Sequence, residues 1–99
     1  MYRGTTPKFS IELDVKTSDV EVAYLSFKQN NEVKVEKTLE DCECSDNVLT
    51  CTLTQEETLN FTAGVPLMLQ VRCRMKDGTT VASDINTFKV VDVFKDGVI

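Results

Sequence analysis

Leu53-Thr54-Gln55-Glu56-Glu57-Thr58-Leu59-Asn60-Phe61 is the one stretch of this chain that reads as helix, and strand-like alternation lies on both sides of it. Thr54 and Glu57 have the spacing of a capping box. The threonine hydroxyl can accept from the backbone N–H of Glu57, and the glutamate can accept from the N–H of Thr54. Glu56 and Glu57 put negative charge in the first turn, where the helix dipole favours it. Leu59 and Phe61 then point apolar groups inward. The pattern predicts a short helical turn over about residues 55–60, of the kind that carries a chain from one sheet of a β-sandwich to the other. Ala63-Gly64 reads as its end. Pro66 opens the next strand, where a missing N–H costs least.

Alternation of period two organises the rest. Phe9, Ile11, Leu13 and Val15 alternate with Ser10, Glu12 and Asp14, which predicts a first, edge strand from Lys8 to Val15. Val20 to Gln29 carries apolar groups on both faces, as a central strand does. Asn30-Asn31 marks a tight hairpin, because asparagine tolerates positive φ. Val33 and Val35 are then expected inward, with Lys34 and Glu36 outward. Leu39 to Cys44 is either a short edge strand or an irregular crossing. Leu49, Cys51 and Leu53 face in while Thr50, Thr52 and Thr54 face out, and β-branched threonine suits the exposed face.

Beyond the helical turn, Leu67, Leu69, Val71, Cys73 and Met75 make the clearest strand in the chain. Asp77-Gly78 is a type I′ hairpin candidate. Thr79 to Ile85 returns, and Phe88 to Phe94 reads as a last, edge strand. About seven short strands at this spacing predict an all-β fold, an immunoglobulin-like antiparallel β-sandwich. A small closed barrel is the alternative. No tryptophan is present and the second strand holds no cysteine to pair with Cys73, so the reading is of architecture and not of superfamily. Residues 1–99 make one domain, with an N-terminal arm over 1–7 and a C-terminal tail over 95–99.

Composition limits function. The net charge of −5 argues against a nucleic-acid partner, and the eleven Lys and Arg residues are scattered. No apolar run approaches the ~18 residues of a membrane span. The N-terminal Met1-Tyr2-Arg3-Gly4 has no apolar core of a signal peptide, so a chain made in the cytoplasm is expected, with release by a route other than secretion, such as cell lysis, left open. In that compartment Cys42, Cys44, Cys51 and Cys73 are expected as free thiols, with a disulfide or a metal site as the lesser readings. There is no histidine, the commonest general base. The carboxylate pairs Glu40-Asp41 and Glu56-Glu57 read as solvated surface and helix first turn. Nucleotide-binding and calcium-loop patterns are absent. No catalytic residue, cofactor or metal ligand is assigned, and a small-molecule ligand is not expected.

Contact surfaces are the remaining possibility. Gln70, Arg72 and Arg74 form an outward basic stripe suited to an acidic partner or to cross-strand acids. Met68, Val81 and Tyr24 are candidates for an apolar patch beside it. Val90, Phe94, Val98 and Ile99 give the C-terminal segment an apolar character that suits addition to a neighbour's sheet.

Three motifs carry a resemblance: Arg3-Gly4-Thr5-Thr6-Pro7, the segment Leu53 to Leu59, and Gln70-Val71-Arg72 through Asp77-Gly78 to Ala82-Ser83. With Phe27-Lys28-Gln29-Asn30 and the ending Asp96-Gly97-Val98-Ile99, they resemble small proteins encoded by prophages and phages of Gram-positive bacteria, near tail and structural genes. The layout is also similar to the immunoglobulin-like N-terminal domains of phage baseplate upper proteins. The resemblance implies a non-enzymatic structural or accessory protein, a tail or baseplate assembly module. Its partners would be other phage structural proteins or further copies of itself, in the host cytoplasm and then in the virion. A carbohydrate- or cell-surface-binding module is the runner-up, and a cytosolic regulatory protein a third reading.

Overall fold

The computed structural model covers residues 1–99. Its eight strands are β1 (Lys8–Glu12), β2 (Val20–Gln29), β3 (Glu32–Thr38), β4 (Cys42–Ser45), β5 (Val48–Thr52), β6 (Leu67–Met75), β7 (Thr80–Ala82) and β8 (Asn86–Phe88). One helix, α1 (Gln55–Leu59), lies between β5 and β6. One sheet has the order β1-β5-β4 and the other β3-β2-β6-β7, with β8 also on β6. Every ladder is antiparallel. In immunoglobulin terms β1, β5 and β4 are strands B, E and D, and β3, β2, β6 and β7/β8 are C′, C, F and G. The fold is therefore the expected all-β, immunoglobulin-like sandwich. Its eighth strand arises because the outer edge strand of the larger sheet is broken into β7 and β8.

The core is the inward half of each alternation. β6 buries Leu67, Leu69, Val71, Cys73 and Met75, β5 and its extension bury Leu49, Cys51 and Leu53, and β1 contributes Phe9 and Ile11. Phe9 packs edge-on to Phe27 across the two sheets, with ring centroids 5.3 Å apart. Burying each such leucine or phenylalanine contributes about 1.5–3 kcal/mol.

The capping box forms as expected. Glu57 N–H donates to Thr54 Oγ1 at 3.1 Å, and Thr54 N–H to Glu57 Oε1 at 2.9 Å. The helix stops earlier than Ala63-Gly64, at Asn60, whose N–H still bonds back to the Glu57 carbonyl, as Phe61 N–H does to that of Thr58. Gly64 instead sits at φ 82° in the following turn. Phe61 is buried as expected, Leu59 is half-buried, and Thr58, a polar residue, is fully buried. Its hydroxyl donates to the Thr5 carbonyl at 2.9 Å.

Four readings are corrected. Val33 is exposed, because a bulge at Lys34 shifts the β2–β3 register between Phe27 and Lys28 and only Val35 reaches the core. Asp77-Gly78 is not a two-residue turn. Met75 N–H bonds to the Thr79 carbonyl and Gly78 N–H to the Met75 carbonyl, a three-residue loop with Gly78 alone at positive φ. Asn30 and Asn31, by contrast, both take positive φ, at 49° and 64°. Thr79 to Ile85 keeps strand form only over Thr80–Ala82. Phe88 to Phe94 is not a strand. Past β8 the chain makes only a parallel bridge between Val91 and Tyr2, and Val90 is drawn into the core by the bond from Gly64 N–H to its carbonyl.

Candidate interaction surfaces

The outer face of the larger sheet collects the stripe. Register places Tyr24 opposite Arg72, Ser26 opposite Gln70 and Lys28 opposite Met68. Because Leu69, Val71 and Cys73 turn inward, Met68, Gln70, Arg72 and Arg74 must turn out. Arg72 also faces Ala82 of β7. There the edge strand breaks. Ser83 N–H donates to the Val71 carbonyl at 2.9 Å, and Ser83 Oγ accepts from Val71 N–H at 3.0 Å. Gln70 Nε2 then donates to the Ser83 carbonyl at 3.0 Å. With Ser83 holding both backbone groups of Val71, the chain swings away and leaves Ile85 exposed.

The result is a groove of about 460 Å³ reaching Ser26, Lys28, Met68, Arg72 and Ile85. Tyr24, Met68 and Ile85 are 47%, 46% and 58% exposed. Of the two arginines, Arg74 meets a cross-strand acid, Glu21, at 3.3 Å. Arg72 and Lys28 have no carboxylate within ion-pair distance, so this face carries unpaired cations on an acidic protein. Val81, expected in the same patch, instead turns in and packs against the core. Lys28 and Ile85 were not evident from sequence. The first sits beside a bulge, and the second reaches the face only because Ser83 breaks the strand.

The C-terminal residues divide. Val90 is buried in the core, which removes it from any contact surface. Phe94, Val98 and Ile99 are exposed, Phe94 completely. Ile99 is tied to α1 by the Gln55 amide, which donates to its carbonyl at 3.0 Å and accepts from its N–H at 2.8 Å.

The reactive side chains are held quiet. All four cysteines are free thiols. Cys42 lies opposite Cys51 in the β4–β5 ladder. Burial, followed by the neighbouring Cys51, pushes the Cys42 thiol up to about 12. Burial likewise raises Cys51 and Cys73. None of these three is a thiolate nucleophile near neutral pH. No group of His, Cys, Asp or Glu is placed to hold a metal ion. Lys37 Nζ lies 2.7 Å from Glu57 Oε2. Burial opposes the Glu57 charge, but the Lys37 ammonium and the Thr54 N–H outweigh it and lower the carboxyl. No helix is long and apolar enough to cross a membrane.

Protein-family models, curated proteins and solved structures give no match to this chain.

Proposed function

We propose that this chain is a non-enzymatic assembly module that works through protein–protein contacts, as a tail or baseplate component of a phage particle. The observation that carries the contact reading is the outer face of the larger sheet. Arg72 and Lys28 stand there without acids, beside exposed Tyr24, Met68 and Ile85. Exposed apolar side chains set among unpaired cations favour an apolar partner with an acidic rim. The exposed tail residues Phe94, Val98 and Ile99 supply a second contact. The phage setting rests on the resemblance of the Arg3–Pro7, Leu53–Leu59 and Gln70–Ser83 motifs. A carbohydrate- or surface-binding module is the second reading. It is favoured by the amide and guanidinium groups of Asn31, Gln70 and Arg72 around the same groove.

Light scattering on the full chain, on a Met68→Glu/Ile85→Glu variant and on a chain lacking Lys95 to Ile99 tests this. The expected result is an oligomer, or a complex with a co-expressed tail protein, that either change reduces to a folded monomer. Full-length protein that stays monomeric at high concentration, and purified virions without it, would overturn the proposal. Binding to host cell-wall glycan that depends on Gln70 and Arg72 would favour the second reading.

A further inference from the structure

The smaller sheet has one edge, β1, whose ladder is uninterrupted. β1 pairs only with β5. Its register is anchored at both ends, by Leu53 N–H to the Pro7 carbonyl and by Leu13 N–H to the Asn47 carbonyl. Antiparallel alternation then aims the backbone groups of Phe9 and Ile11 at β5, and those of Ser10 and Glu12 at the open side. The remaining edges are disabled in different ways. β3 is bulged at Lys34, β4 has four residues, and the β7/β8 edge is interrupted at Ser83. The ladder of β1 is regular.

An immunoglobulin sheet of this kind has a further strand, A, outside this one. Here the N-terminal arm goes elsewhere. Arg3 N–H bonds to the Val91 carbonyl and Val91 N–H to the Met1 carbonyl, at the α1 end of the sandwich. The flank beside Ser10 to Val15 stays uncovered. A cleft of about 580 Å³ opens there, between β1 and the broken β7/β8 edge. Ile11, Leu13, Cys73 and Val81 lie at its apolar floor. Its rim is acidic: Glu12, Asp14 and Asp84 are exposed, none is in an ion pair, and no Lys or Arg lines the cleft.

We infer that this flank accepts an extended segment of a partner protein as a donated strand beside β1, the segment carrying alternate apolar residues and flanking Lys or Arg. Backbone bonds to Ser10 and Glu12 hold it, and its apolar side chains cover Ile11 and Val81. Its cations neutralise the Glu12, Asp14 and Asp84 rim. This site lies on a different side of the sandwich from the Arg72 face, and it accepts a basic rather than an acidic partner. Either surface can fail without the other.

The test uses the full chain and a blocked peptide, Arg-Val-Thr-Val-Thr-Val-Arg, with a version bearing Glu for Arg and a version N-methylated at alternate residues. Amide hydrogen exchange and NMR shifts are read residue by residue. The basic peptide is expected to protect the Ser10 and Glu12 amides, and the Glu and N-methyl versions are expected not to. Ser10→Pro removes an outward N–H that β5 does not use and should weaken binding about tenfold or more, the loss of a hydrogen bond with added steric block. If that variant does not fold, the N-methyl peptide makes the same comparison on intact protein. Equal binding of the acidic peptide, shifts confined to the Gln70–Arg72 face, or no protection at Ser10 and Glu12 overturns the inference. So does protection that appears without peptide as the protein dimerises, which would make the occupant a second copy.

Discussion

Gln29 is the buried polar residue on which the loop after α1 depends. It is 2% exposed at the end of β2. Its Nε2 donates to the Thr62 and Val65 carbonyls, each at 2.9 Å, and its Oε1 accepts from Thr62 N–H at 2.8 Å. Gln29→Leu keeps the bulk and removes all three bonds. A bond whose partner water can reach is worth about 0.5–1.5 kcal/mol, and one whose partner stays buried about 1–3 kcal/mol. Thr62 is exposed, so the lower range applies to its two bonds, and Val65 is half-buried, so the upper range applies to its carbonyl. The expected loss is about 4 kcal/mol, a Tm lowered by roughly 16–32 °C for a domain of this size. Gln29→Glu separates shape from chemistry. It still accepts from Thr62 N–H, but at neutral pH it aims a carboxylate at two carbonyls. Its deficit relative to wild type should therefore shrink as pH falls and the carboxyl regains a proton. Calorimetric melts, with hydrogen exchange at Thr62, measure both effects. A Gln29→Leu Tm within a degree or two of wild type, with the Thr62 amide still protected, would refute the claim that this side chain pins the loop.

Other outcomes follow from the same geometry. Thr54→Ala should cost about 1 kcal/mol through loss of the cap acceptor, and unchanged melting would mean that α1 is not held by its box. In the native protein without reductant, alkylation followed by mass spectrometry should label exposed Cys44 first, Cys42 slowly, and Cys51 and Cys73 only on unfolding, given the raised thiols. The Lys37–Glu57 pair should shape the pH profile. Glu57 is lowered from 4.5, so its contribution is present above that value and lost as pH falls through the folded one. Lys37 is raised from 10.5, against its own burial, by the Glu57 carboxylate, so its contribution is lost only as pH rises through the folded value. Glu57→Gln should thus lower Tm near neutrality, with the deficit shrinking as pH falls below 4.5 and through the folded value, and a deficit that stays constant down the acid range would exclude the pair as the cause.

How far the sequence discloses this molecule depends on whether a feature is local. β6 is legible residue by residue, because five buried and four exposed positions alternate without a bulge. The cap of α1 is legible because both partners lie within one turn. Val33 and the Phe88–Phe94 segment mislead for a common reason. β-propensity marks Val33, Val90, Val91 and Phe94 as strand, but register and long-range bonds decide whether they pair. A bulge at Lys34 turns Val33 out, and Gly64 and the N-terminal arm hold Val90 and Val91 in place. The outward placement of Gln70, Arg72 and Arg74 follows from β6. The groove does not, since Ile85 reaches it only through the bonds of Ser83.

This sandwich has neither a tryptophan nor a disulfide to tie its sheets, and polar side chains take up part of that role. Arg3 donates to the carbonyls of Leu59, the last residue of α1, and of Phe61 just beyond it, each at 2.8 Å, and meets Asp92 at 2.7 Å. Gln29 holds Thr62 and Val65, and Lys37 holds Glu57. All act on the crossing from β5 to β6. That crossing sets where β6 begins, and a slip of one residue would turn every side chain of a strand to its opposite face. Met68, Gln70 and Arg72 would then enter the core while Leu67, Leu69 and Val71 faced water. The desolvation of an unpaired guanidinium makes such a slip prohibitive. The clamps and the core therefore specify one register together. The outer face of β6 is thereby preorganised, which would lower the ordering cost of the binding proposed there.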